Sequence, residues 1–279
     1  MFHLTFRSLF SRLVLLAAPA LLAQGGVMPP PPLMLFVREE IKPGHGAAHA
    51  VTESAWARAL NKGKSKDYWL GMSALTGPSE AWFIVGHASY ADWEAKQKEL
   101  DGNAALRAEI DKISQQDGEH LNGSRTLLGT WRKDLSYGPS VDIAKMRYMR
   151  IRTFRIKQGQ NKAFEEGVKQ ALAAYESSHY AASFAFYEIA AGIGSPTYIV
   201  LRPLKSLAEL DAAAQDDKAF QEALGEEGRK GMQKVFADTV NAVENNLFAF
   251  DPKLSFLGPG TIASDPAFWA PKPAKPAAK

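Results

Sequence analysis

The chain has 279 residues, 46% of them hydrophobic and 23% charged, a globular composition that excludes wholesale disorder. It has no cysteine, which excludes disulfide frameworks, thiolate metal sites, cysteine nucleophiles and lipid anchors on cysteine. A formal net charge of +3 is too small for a dedicated nucleic-acid or anionic-membrane surface.

Residues 1–23 read as a secretory signal, with Arg7 and Arg12 ahead of an apolar run from Leu13 to Leu22. Small residues offer cleavage after Ala20 or Ala23. A bilayer span needs about 20 apolar residues, more than this run supplies. The expectation is an exported protein, periplasmic or secreted, with no membrane contact after signal cleavage. Residues 24–32, with four successive prolines from Pro29 to Pro32, read as an extended linker. At the other end, 261–279 reads as a disordered tail, of Pro, Ala and Lys from Pro271 onward.

Between these ends the chain is written twice, as repeats over 33–140 and 141–260. Ile41-Lys42-Pro43-Gly44 is answered 115 residues later by Ile156-Lys157-Gln158-Gly159, and Trp82-Phe83-Ile84-Val85 at the same spacing by Thr197-Tyr198-Ile199-Val200. Leu135-Ser136-Tyr137-Gly138-Pro139 is answered from Leu254 to Pro259, at a spacing of 119. Copy one predicts a strand over 33–41, a helix over 46–60, a hairpin from 68–73 and 81–87, a helical region, and a closing strand over 125–131. Copy two predicts a strand over 148–156, a helix over 162–177, a hairpin from 183–189 and 197–202 with its turn at 192–195, and a closing strand over 246–250. The 162–177 helix buries a stripe of Phe164, Val168, Ala171, Leu172 and Tyr175. The helical region of copy two is marked by Met232, Val235, Phe236, Thr239, Val240 and Val243. The order β-α-β-β-α-β is that of a ferredoxin-like α+β unit, whose sheet has one face bare. Two fused units packed sheet to sheet bury both bare faces as a pseudo-dimeric α/β barrel.

Candidate chemistry is scattered. His45, His49 and Glu53 stand at four-residue steps on the first helix, where they could converge on a metal or a haem. Shifted by 115, His49 and Glu53 fall on Phe164 and Val168, which are core positions in copy two. The competing reading rotates the helix, buries Ala48, Val51 and Ala55, and leaves the histidines in water. His87 and its repeat counterpart Arg202 end matching strands, where each either reaches a ligand or stands exposed. Trp56, Tyr68, Trp69, Trp82, Tyr90 and Trp93 either line a pocket for a flat ligand or form core. In copy two, His179 beside Tyr175, Tyr187 and Glu188 could move protons, against the reading of a plain surface turn. Arg147, Arg150, Arg152, Arg155 and Lys157 crowd one strand. They could bind an anionic ligand or pair with acids across the barrel; because Arg150 and Arg152 share a face with Phe154, at least one is expected between the copies, paired with an acid such as Glu39. Gly44-His45-Gly46-Ala47-Ala48-His49 lacks the last glycine of a dinucleotide fingerprint. Walker, nucleophile-elbow, zinc-protease and calcium-loop motifs are missing.

Arg152-Thr153-Phe154-Arg155-Ile156-Lys157-Gln158-Gly159 resembles the opening strand and turn of NIPSNAP-type proteins, in the dimeric α/β-barrel superfamily that also holds antibiotic-biosynthesis monooxygenases and haem-binding chlorite-dismutase-like proteins. Copy one keeps the Lys-Pro-Gly turn without the Arg-Thr-aromatic triplet. The resemblance implies the barrel fold, with a ligand pocket between helices and sheet. Three functions are carried forward. The first is a protein that binds a small apolar or aromatic ligand or a protein partner, through His49, Glu53, Trp56, His87, Tyr187 and Arg202. The second is a cofactor-free oxygenase-like enzyme using His49 or His179. The third is a haem or metal protein using His49, with His45 and Glu53 as further ligands. No cofactor is required by any motif, and homo-oligomers remain open.

Overall fold

The computed structural model describes residues 25–194 and 196–270. The expected signal with both its cleavage points, Ser195 in the 192–195 turn, and the tail from 271 lie outside the described residues. Repeat one runs β1 (Leu33–Ile41), α1 (Gly46–Lys62), β2 (Trp69–Ala74), β3 (Glu80–His87), α2 (Tyr90–Asp101), α3 (Ala104–Gly118) and β4 (Leu121–Trp131). Repeat two runs β5 (Tyr148–Ile156), α4 (Asn161–Ser177), β6 (Ala185–Ala191), β7 (Thr197–Leu204), α5 (Ala208–Thr239) and β8 (Val240–Phe250). Two short helices follow, α6 (Pro259–Ser264) and α7 (Pro266–Trp269).

The eight strands close into an antiparallel barrel in the order β1-β3-β2-β8-β5-β7-β6-β4. Each repeat therefore contributes a four-stranded ferredoxin-like sheet, joined to its twin along two seams. One seam pairs Met72 with Phe250 and Ala74 with Phe248; the other pairs Gly129 with Ile189 and Trp131 with Tyr187. Closure leaves no edge strand open.

Strand alternation sends one set of side chains into the barrel and the other toward the helices. Along β3, Trp82 and Ile84 enter the interior while Ala81 and Phe83 meet the helices of repeat one; along β7, Ile199 and Leu201 enter while Tyr198 and Val200 face outward. Both faces are covered, so these strands read as unbroken apolar runs. Phe36, Trp82, Tyr187 and Phe248 are fully buried in the interior, each contributing about 1.5–3 kcal/mol.

The helical layers of the two repeats differ. In repeat one, α1 and α3 close over Ile41, Leu60, Trp69, Phe83, Leu106, Ile110 and Ile113. Its helical region is two helices rather than one, because Asn103 caps a new helix by accepting from the Leu106 N–H. In repeat two, α5 bends at Gly225, whose φ of 66° is open to glycine at little cost. Its second half lies close against α4, where a Cβ on Gly167 would stand 2.7 Å from Val235. The stripe expected to continue to Val243 stops at Thr239; Val240 and Val243 belong to β8, where β-branched residues suit the pleated backbone.

Both ends depart from expectation. The segment before β1 is docked: Pro31 accepts a hydrogen bond from the Tyr187 hydroxyl, Pro32 accepts one from the Trp131 N–H, and Val27 bridges Asp142. The segment from 261 is not tail as far as Trp269, which is 4% exposed and donates its indole N–H to the Ala144 carbonyl at 2.8 Å. No described helix is long and apolar enough to cross a membrane.

Candidate functional site

The first helix does turn its histidine inward. His49 is 1% exposed, whereas Ala48 and Val51 of the rotated alternative are exposed and only its Ala55 packs against the core. The reason lies on β1, where Glu39 points outward to the helices and meets His49 Nε2 at 2.9 Å. Asp117, in the last turn of α3, stands 3.9 Å from the same nitrogen and accepts from the Thr52 hydroxyl. Glu53, one turn beyond His49, completes a quartet whose nearest ligand atoms all lie within 4.8 Å of one another. Burial first, then the Glu39 and Asp117 carboxylates, push the Glu53 carboxyl up to about 9. His45 is not part of this group; its Nδ1 faces His120 Nδ1 at 3.1 Å.

The other nominated residues scatter. Trp56 packs at the margin of the repeat-one core, beside a groove lined by Asp67 and Lys96. His87 is buried and stacked on Trp93, with Asp92 at 3.5 Å from Nδ1. Burial holds its imidazole below the usual histidine range, opposed by Asp67 and Asp92. Tyr187 sits in the barrel interior against Phe36, where its hydroxyl ties down the proline segment beside a smaller cavity of about 370 Å³. His179 is exposed just past α4 at φ 52°, the surface-turn reading.

A cavity of about 630 Å³ lies between the sheet of repeat two and helices α4 and α5. Its walls are apolar and aromatic, among them Phe154, Phe164, Tyr175, Phe184, Val200 and Phe236. Its sheet floor is basic: Arg150 and Arg152 on β5, and Arg202 on β7, all line it. Arg150 is the register partner of Arg202. Burial, then Arg152 and Arg202, hold the Arg150 guanidinium below its ordinary value, though still charged at any working pH. Arg152 donates to Asn245 at 2.8 Å, and Arg202 lies 5.8 Å from the Tyr180 ring centre. No hydrogen bond or ion pair to Arg150 is formed among the described residues.

This reverses the expected placing of the basic strand. Arg150 and Arg152 face the helices, and it is Arg155 that turns into the barrel, 3.0 Å from Glu244. Glu244 also meets Arg38, which pairs with Glu80 at 2.9 Å. An inter-repeat ion pair therefore exists here, Arg38 with Glu244, extended within each repeat by Glu80 and Arg155, rather than one built from Arg150, Arg152 and Glu39. Glu188 lies on the second seam, bonded by Arg132 at 2.8 Å.

The two sites differ in what they could hold. The quartet is too tight for a macrocycle and has the scale of a single ion. The cavity is compatible in size and charge with a haem and its carboxylates, but no histidine lines it. His49 is in the other repeat, so it is not placed to ligate a haem seated there. Sequence reading allowed the basic strand an anionic ligand but preferred an ion pair for Arg150, and it missed Asp117 as the fourth member of the quartet. Asp117 could have been found by carrying the repeat offset of 119 into the last helix.

No protein-family model matches the sequence, and none of the curated proteins is similar to it. Solved structures are similar in fold. An anthrone oxidase-like protein superposes with a TM-score of 0.52 at 11% identity, covering 78% of this chain and 91% of its own. A proposed monooxygenase from Fusobacterium nucleatum gives 0.51 at 9% identity, covering 80% and 94%. A chlorite dismutase variant from Candidatus Nitrospira defluvii gives 0.50 at 11% identity, covering 81% and 94%. The chain is a pseudo-dimeric, eight-stranded barrel of two fused ferredoxin-like repeats, related in fold to these proteins, as the resemblance implied.

Proposed function

We infer that this chain is an exported binding protein whose ligand is an apolar or aromatic small molecule carrying a carboxylate or similar anionic head. The observation that carries this reading is Arg150: a guanidinium on the floor of an apolar cavity, opposite Arg202 and beside Arg152, with no acid paired to it. Three guanidinium groups face the cavity against one carboxylate, Asp217, so the space carries an excess of positive charge that favours an anion, and a guanidinium fork matches a carboxylate bidentately. The aromatic walls would bury the ligand body. Tyr175 and Tyr180, their hydroxyls pushed above the usual phenol range chiefly by burial, face it as neutral groups. Export rests on the sequence of residues 1–23, and the likeness in fold carries no ligand of its own.

The oxygenase-like alternative needs a base beside the substrate. Neither nominated residue lines the cavity; the carboxylate that does is Asp217, which accepts from Tyr180 at 3.3 Å. Binding without catalysis is therefore the better-supported function. Thermal-shift measurements on residues 24–279 with phenylalkanoates and C8–C12 fatty acids, each beside its uncharged amide, test it. The acids are expected to stabilise and the amides to do so far less. Equal responses to acid and amide would refute the arginine floor as the recognition element.

A further inference from the structure

We propose that Glu39, His49, Glu53 and Asp117 form a site for one divalent transition-metal ion of the manganese, iron or zinc class, enclosed between β1, α1 and α3 of repeat one. Three observations carry this, independently of the cavity in repeat two.

The first is geometric. Two elements far apart in sequence and a strand bring one imidazole nitrogen and three carboxylates within 4.8 Å of one another. An ion with bonds of about 2.1 Å holds opposite ligands about 4.2 Å apart, so small side-chain rotations close the set. One imidazole with carboxylates suits these ions, since imidazole favours zinc and iron, and carboxylates favour manganese.

The second is Glu53. It is 6% exposed, its carboxylate is part of the cluster, and it has no hydrogen-bond partner among the described residues. Two donors serve the three carboxylates, the Thr52 hydroxyl at Asp117 and His49 Nε2 at Glu39. A buried carboxylate with no donor is costly unless it is neutralised, by a proton or by a coordinated cation.

The third is the internal repeat. The Lys42 N–H bonds to the His120 carbonyl as the Lys157 N–H bonds to that of Thr239. That shared bond fixes the offsets at 115 for the first strand and helix and 119 at the last helix. At those offsets Glu39, His49, Glu53 and Asp117 correspond to Phe154, Phe164, Val168 and Phe236. There Phe154 touches Phe164 and Phe236 at ring-centre distances of 5.5 and 5.9 Å, and Val168 packs against the same cluster. The fold thus fills these four positions with apolar side chains in one copy, so the polar quartet of the other is not a requirement of the architecture.

The test uses the full mature chain. Metal content is measured by mass spectrometry on protein purified without chelator. After dialysis against EDTA, Mn²⁺ is titrated and followed by electron paramagnetic resonance, and Zn²⁺ by competition. The expected result is one equivalent of Mn²⁺ or Zn²⁺ per chain, weakened at least tenfold in Glu53→Gln and unchanged in a His45→Ala/His120→Ala variant. Glu53→Gln is nearly isosteric, and near-ultraviolet circular dichroism verifies its fold. If wild-type protein binds neither ion at tens of micromolar, the proposal is wrong. Binding that survives Glu53→Gln but is lost with His45 and His120 would assign the ion to that histidine pair and overturn it equally.

Discussion

Replacing Arg150 by methionine separates the stability of the cavity from its binding. Arg150 stands directly across the β5–β7 ladder from Arg202, with Arg152 two residues along on the same face. Like charges in opposed positions destabilise a sheet. Two guanidinium groups about 7 Å apart repel by roughly 2 kcal/mol at an effective dielectric of 20, and exposure and physiological salt reduce that to about 1 kcal/mol. Arg150 has two such neighbours, and Asp217 on the cavity wall offsets them only in part, so Arg150→Met should stabilise the unliganded protein by about 1 kcal/mol in low salt. Methionine keeps most of the apolar stem, so packing against the cavity wall survives. Urea denaturation at 20 mM and 1 M NaCl measures this, and the gain should shrink to less than half at high salt. Carboxylate binding should weaken at least tenfold in the same protein. A variant less stable than wild type at low salt, or one whose effect ignores salt, would show that Arg150 is already paired and refute the reasoning.

Other expectations follow from the same geometry. Arg132 bonds Asp134 within its own repeat and Glu165 and Glu188 across the seam between repeats, so Arg132→Gln should cost about 2–3 kcal/mol near pH 7 by denaturant titration. Since Arg132 holds Glu165 and Asp134 below the usual carboxylate range, the stability they contribute is lost as pH falls, and the cost should shrink below about pH 4. Trp269→Ala should cost about 3–5 kcal/mol; a change below about 1 kcal/mol would mean that the 259–269 segment is not packed in solution. His87, held below the usual histidine range by burial, binds its proton less readily folded than unfolded, so stability should fall as pH drops below about 6.5. His87→Asn should flatten that decline, and an unchanged slope would point to another group.

The barrel was legible because duplication repeats its punctuation. The Lys-Pro-Gly and Lys-Gln-Gly turns fix both opening strands, which occupy residues 33–41 and 148–156 as expected. The facing of Arg150 and Arg155 was not legible, and the reason is physical. Both faces of each sheet are buried, so an apolar neighbour such as Phe154 marks burial without saying on which side. His49 and Glu53 were legible as a pair through their helical spacing and their apolar counterparts. Asp117 belongs to the quartet through a helix more than sixty residues away, which no local spacing reveals. Trp269 fell within the expected 261–279 tail because the chain around it is rich in proline. Those prolines instead sit at the first turns of α6 and α7, where a missing N–H costs nothing.

The central claim is that repeat two holds an anion-binding, apolar-walled cavity, and one titration tests it most directly. The probe is 8-anilinonaphthalene-1-sulfonate, whose rings suit the walls and whose sulfonate suits the arginines, followed by fluorescence at 0.15 M salt in wild type and in Arg150→Met/Arg202→Met. The account predicts saturation at one probe per wild-type chain and at least tenfold weaker binding in the double variant. Equal affinity in the two folded proteins would place the probe elsewhere and contradict it.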